Sequence, residues 1–141
     1  MEIVGFGASG CKIAKNFEKH SQYNIRYVDV DISGKNCYNL PKSNTMEEAE
    51  KNIPEFTKLT RAIGESKTFF ICAGADATSG AMLGALEQIK NAELNIVYIR
   101  PDLSFLNEGE TRQEKVVYGV LQEFARSGLF ERIYILDNAK V

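Results

Sequence analysis

Tryptophan is absent from the sequence, histidine occurs once, and the cysteines number only three. One histidine leaves little room for a Ser-His-Asp or Cys-His catalytic arrangement, and none is found. Cys11, Cys37 and Cys72 are widely spaced, with no CxxC pair and no histidine at ligand spacing. That pattern argues against a disulfide scaffold or a zinc site, and for reduced thiols in a cytoplasmic protein. No apolar run approaches the roughly 20 residues of a membrane span. The start, MEIVGFG, has no basic region ahead of an apolar segment, so no secretory signal is expected. Nor is one sign of charge in excess: Lys and Arg total 17, Asp and Glu 19, for a net charge of -2. A nucleic acid or an anionic membrane would favour a basic face, and this balance gives no case for either as a partner.

What is present is ordinary for a globular chain able to bury a core: 141 residues, 44% hydrophobic and 26% charged. Nothing repeats internally and no linker divides the chain, so 1–141 reads as one domain. Glu2 to Phe6 is a short apolar strand, and Ile13, Ala14 and Phe17 mark a helix over Ser9–His20. Ile25–Val30 alternates as a second strand, and a short third strand fits near Tyr38-Asn39-Leu40. Glu47–Lys51 reads as a solvated helical face. Ile53–Ser66 reads as a helix entered through Pro54, with Phe56, Leu59, Ala62 and Ile63 inward. Thr68–Ala73 is a compact apolar strand, and Ala81–Asn91 a helix. The strand Asn95–Ile99 follows. Thr111–Ser127 is a helix with Val116, Val117, Val120, Leu121 and Phe124 on one face, closed by Gly128. Ile133–Leu136 is the last strand. Alternating strands and helices predict an α/β fold, a mostly parallel sheet covered on both faces. The last strand runs almost straight to the terminus, so either the chain stops early or another chain is expected to cover that surface.

Three loops carry the chemistry. Gly5-Phe6-Gly7-Ala8-Ser9-Gly10 fits G-x-G-x-x-G between a strand and a helix, where glycine lets backbone approach an anion and the helix start offers unpaired N–H groups. Asp29 and Asp31 fall where an acid meets a ribose hydroxyl in a dinucleotide fold. A tight turn that holds nothing is the alternative. The second loop, Gly74-Ala75-Asp76-Ala77-Thr78-Ser79-Gly80, is small and hydroxyl-bearing, and Thr78 or Ser79 could cap the next helix or donate to a phosphate. The third is RPDLSFLNEGETR, Arg100 to Arg112. His20 reads as a cap or surface group. Cys11, beside a helix start, is a candidate for a lowered thiol pKa.

The third loop resembles that of FtsZ, the bacterial relative of tubulin, where a strand is followed by [KR]-P-F-x-F-E-G-x-x-R. Arg100-Pro101, Phe105, Glu108-Gly109 and Arg112 match in order, then Gly119 and Leu121, then Ile135-Leu136-Asp137-Asn138. GASGCKIAKNF is similar to the first phosphate loop of the tubulin/FtsZ superfamily, and GADATSG stands where that family has G-G-G-T-G-[ST]-G. The resemblance spans essentially the whole chain, but only the nucleotide-binding half of the family fold. It implies a Rossmann-like three-layer domain with sheet order 3-2-1-4-5-6. It also implies GTP or GDP as ligand, with Mg²⁺, in a protein that forms filaments. By the same resemblance Gly7, Ala8, Ser9, Gly10, Cys11 and Lys12 line the first phosphate loop. Asp76, Ala77, Thr78, Ser79 and Gly80 would lie around the β- and γ-phosphates. Glu108 would meet the ribose and Arg112 the phosphates, suited as acceptor and as planar donor fork. For these two an exposed ion pair four residues apart is the competing reading. Asp31 is the candidate Mg²⁺ ligand.

The departures are specific. The signature loop keeps only its first and last glycines, and Asp76 would repel phosphate unless Mg²⁺ or Lys12 offsets it. The family's core helix and the acidic loop of its second domain are not in the sequence, so hydrolysis of GTP by the family route is not expected of this chain alone. Two other readings remain open: an NAD(P)-binding Rossmann module, and a relic assembly domain that no longer holds nucleotide.

Overall fold

The structure, a computed structural model, describes residues 1–74 and 78–137. Six strands form one sheet: β1 (Glu2–Phe6), β2 (Asn24–Asp29), β3 (Cys37–Asn39), β4 (Lys67–Ala73), β5 (Glu93–Arg100) and β6 (Arg132–Asp137). Their order is β3-β2-β1-β4-β5-β6. All five pairings are parallel, with Gly5 beside both Tyr27 and Ile71, and Cys72 beside Tyr98. The expected α/β three-layer fold and strand order are therefore met, and the sheet is wholly parallel.

One face carries a single helix, α1 (Gly7–Lys15), packed over Ile3, Ile25 and Ile71. The other carries α2 (Met46–Lys51), α3 (Thr57–Ile63), α4 (Ser79–Gln88) and α5 (Glu108–Arg126), closing the larger core around Val4, Phe70, Met82, Leu94 and Leu121. The asymmetry follows from the order. The connection β1 to β2 runs one way along the sheet and β3–β4, β4–β5 and β5–β6 the other, so crossovers of one hand place their helices on opposite faces.

Several expected boundaries move, each for a local reason. The helix expected over Ile53–Ser66 begins only at Thr57. Gln88 on α4 accepts from the Phe56 N–H (2.8 Å) and donates to the Pro54 carbonyl (2.9 Å), holding that segment out of the helix. Phe56 still buries its ring, whereas Ala62 is exposed. α1 starts at Gly7 and stops at Lys15, and short turn bonds carry the chain on to His20. α2 has its Glu and Lys residues in solvent, as expected, and buries Ala49. α5 starts at Glu108 because Asn107 and Glu110 form a reciprocal capping box, bonded at 2.8 and 3.1 Å. Its buried stripe is Glu114, Val117 and Leu121, while Val116 is 60% exposed. Among the described residues no helix is long and apolar enough to cross a membrane.

Candidate functional site

β1, β4 and β5 are neighbours, and the loops that follow them leave the same edge of the sheet, where open α/β sheets bind ligands. The order reverses between β1 and β4. Their helices depart to opposite faces, so the crevice between the starts of α1 and α4 is the switch point of the fold.

At β1 the strand passes directly into the helix through Gly7, whose φ of +74° lies in the left-handed region that favours glycine. Gly10 is buried, and a Cβ there would strike the Ile71 carbonyl of β4. A Cβ on Gly5 would meet the Gly10 carbonyl at 2.7 Å. Two glycines of the fingerprint thus allow α1 to lie on the sheet, and the third makes the turn. Ala8, Ser9 and Lys12 are exposed. The capping residue Phe6 makes no side-chain bond to the first turn, and that turn holds no acidic residue. The N–H groups of that turn thus take no bond from the capping side chain, and they lie at the positive end of the helix dipole, which favours an anion.

Cys11 differs from expectation. Its thiol donates to the Gly5 carbonyl at 3.3 Å and reaches the Val28 carbonyl at 3.7 Å. Burial, with the Asp29 carboxylate nearby, pushes its pKa up to about 11 instead of down. Cys11 lines the site as a thiol held above its ordinary pKa, the opposite of an activated one.

The start of α4, where the second loop ends, is partly closed. Asp76 and Ala77 lie outside the described residues. Thr78 occupies the capping position of α4 without a side-chain cap bond. Ser79 is buried, with its hydroxyl donating to the Ala73 carbonyl at 3.2 Å. Gly80 lies under the backbone of Met46, so α2 covers this helix start. At the third loop, Glu108 and Arg112 are both exposed on the first turns of α5. They form no ion pair with each other among the described residues. Arg112 instead lines a cleft of about 420 Å³ between α5 and α2, opposite Glu47 and Glu50.

Beneath these loops is a strut that the sequence reading missed. Glu114 of α5 is fully buried, and one carboxylate oxygen accepts from the Tyr98 hydroxyl (3.1 Å) and the Arg100 Nε (3.0 Å). The other oxygen has no partner among the described residues. The Arg100 guanidinium stacks on Tyr118 at 4.4 Å, and the Tyr98 hydroxyl fills the space beside Gly74. The exit of β4, the end of β5 and the second turn of α5 are thereby tied together. The signal was an acid in register with Val117 and Leu121.

At β2, Asp29 accepts from the Val30 N–H at 2.8 Å. Asp31 is exposed, with a φ of +51°. Among the described residues no three His, Cys, Asp or Glu side chains gather as a metal site. A cleft of about 610 Å³ runs along α1, and Ala8, Cys11 and Lys12 of the first loop line it with the segment after β2. Three of the expected site residues are therefore brought together here, and Arg112 stands apart from them. The chain matches no protein-family model, and no curated protein matches it.

Proposed function

We propose that the chain is the nucleotide-binding half of a tubulin/FtsZ-type protein that takes GTP or GDP with Mg²⁺. The observation that carries this reading is the placement of the three resembling loops at the ends of the neighbouring strands β1, β4 and β5, around the switch point. The uncapped start of α1 would take phosphate, and the turns of α5 would supply Glu108 and Arg112. Asp31 would assist Mg²⁺. The same reading includes a cytoplasmic location, assembly into filaments and a second copy or partner over the β6 side. Hydrolysis would wait on groups outside this chain.

A second reading, a relic assembly domain without nucleotide, is favoured by the burial of Ser79 and the cover of Gly80 by Met46. Thermal unfolding with GTP, GDP, ATP and NAD, each with and without Mg²⁺, separates the readings, because a ligand of the folded state raises the midpoint. We expect a rise with GTP or GDP that grows with Mg²⁺ and shrinks in Arg112→Ala. A rise with NAD alone, unaffected by Arg112→Ala, means a dinucleotide module, and silence from all four points to the relic or to a site that needs the family's core helix.

A further inference from the structure

The connection from β2 to β3 contains no helix, so nothing of that kind covers the flank of α1. The cleft of about 610 Å³ opens there, a size ordinary for a small-molecule site. Lys12 and Lys15 enter it from one side of α1, three residues apart, and Lys35 faces them from the segment after β2. None of the three has a salt-bridge or hydrogen-bond partner among the described residues. Three unpaired ammonium groups on one cleft are notable in a chain of net charge -2. The single carboxylate on the lining, Glu18, is engaged by the Tyr27 hydroxyl. Two further acids, Asp29 and Asp31, lie at the end of β2, and Asp29 is near enough to Cys11 to help raise its pKa, so the three lysines face that carboxylate as well as Glu18.

The wall bearing Lys35 is fixed. Asn39 accepts from the Ile32 N–H at 2.9 Å and donates to the Ile32 carbonyl at 2.6 Å. Arg26 holds the Asn36 side chain at 3.3 Å, and the Tyr27 N–H donates to the Asn36 carbonyl at 2.9 Å. Along the floor, burial keeps the Cys11 thiol neutral, so it adds no competing negative charge. Ser33 adds a hydroxyl donor.

We propose that this cleft binds a phosphate-type polyanion between Lys12, Lys15 and Lys35. The site is contiguous with the first phosphate loop through Ala8 and Lys12, but needs neither the second loop nor Arg112. Its anion could be carried by a nucleotide seated at the strand ends or by a separate phosphorylated molecule, and the chemistry recognised is the same.

The test is calorimetric titration of the whole chain with inorganic tripolyphosphate at low salt, in wild type and in a Lys15→Gln/Lys35→Gln double variant. Circular dichroism confirms that both are folded. We expect wild type to bind, the double variant to bind about tenfold more weakly, and wild-type affinity to fall steeply with added salt. Absence of binding by the folded wild type, or equal binding by both proteins, overturns the proposal. Repeating the titration with saturating GTP distinguishes the sources: blocked binding places the anion on the nucleotide, and undiminished binding makes it a separate ligand. GTP titrated into both proteins keeps the two questions apart, since failure of GTP with success of tripolyphosphate removes only the nucleotide reading.

Discussion

A methyl group at Gly74 would strike the Tyr98 hydroxyl, because the exit of β4 lies against the end of β5. Gly74→Ala is therefore expected to cost about 1–3 kcal/mol, as overpacking against a held side chain does. In a Tyr98→Phe background the added cost should be smaller, since the struck oxygen is gone. Urea unfolding of the two single variants and the double variant gives the coupling, and strict additivity would mean the contact is not where the strain resides. Cys11 makes a pH-dependent contribution. Its thiol ionises near the ordinary 9.0 when unfolded and near about 11 when folded, with burial as the main cause. Between those values the folded state binds the extra proton. Stability is thus intact below pH 9 and declines as pH rises toward 11. Cys72, buried with its pKa also pushed up, adds to the same decline. Comparing unfolding at about pH 8 and pH 10, Cys11→Ser should lose less stability than wild type. An equal loss in both proteins sinks the assignment to Cys11.

α5 is anchored by its one buried acid. Glu114→Ala leaves Arg100 without its acceptor and the Tyr98 hydroxyl without its partner, at a cost of about 3 kcal/mol. Chemical denaturation measures it, and a loss below about 1 kcal/mol would show that water replaces the carboxylate freely. This element also shows what was legible beforehand. The positions of strands and helices were readable because the apolar runs of β1, β4 and β5 and the periodic stripes of α4 and α5 report the core directly, whereas the strand order was only an implication of the family resemblance. The start of α3 was not, since it depends on Gln88 from a distant helix, and local pattern does not carry that. The fingerprint glycines were legible as a turn, but only the packing of α1 on Ile71 distinguishes those that admit the helix from the one that turns the chain. Glu114 broke the apolar period of α5, and a broken period is the signature of a buried network. The cleft beside α1 was hidden because Lys35 meets Lys12 and Lys15 only after β2 and β3 pair.

On the scale of the whole molecule the two faces of the sheet are unequally covered. α1 packs on β1, β2 and β4, and among the described residues no other helix covers that face. β6 is an edge, and Tyr134, Ile135 and Leu136 are 42%, 42% and 50% exposed. Tyr134 and Leu136 stand in register with Val97 and Ile99, on the α1 side, and Ile135 with Tyr98 on the other. An apolar strand at the edge of a sheet is the kind that adds a further strand or surface. Edge strands that stay single are usually blunted by lysine or proline, and β6 has neither. The 141-residue chain is therefore expected to associate through β6 as its concentration rises. Sedimentation velocity over a hundredfold concentration range should show the weight-average mass climbing. Tyr134→Lys/Leu136→Lys should flatten that rise while the thermal midpoint stays within a few degrees, because both side chains already meet solvent. A rise unchanged in the lysine variant places the association elsewhere on the surface, and β6 would then be an edge that charge does not need to guard.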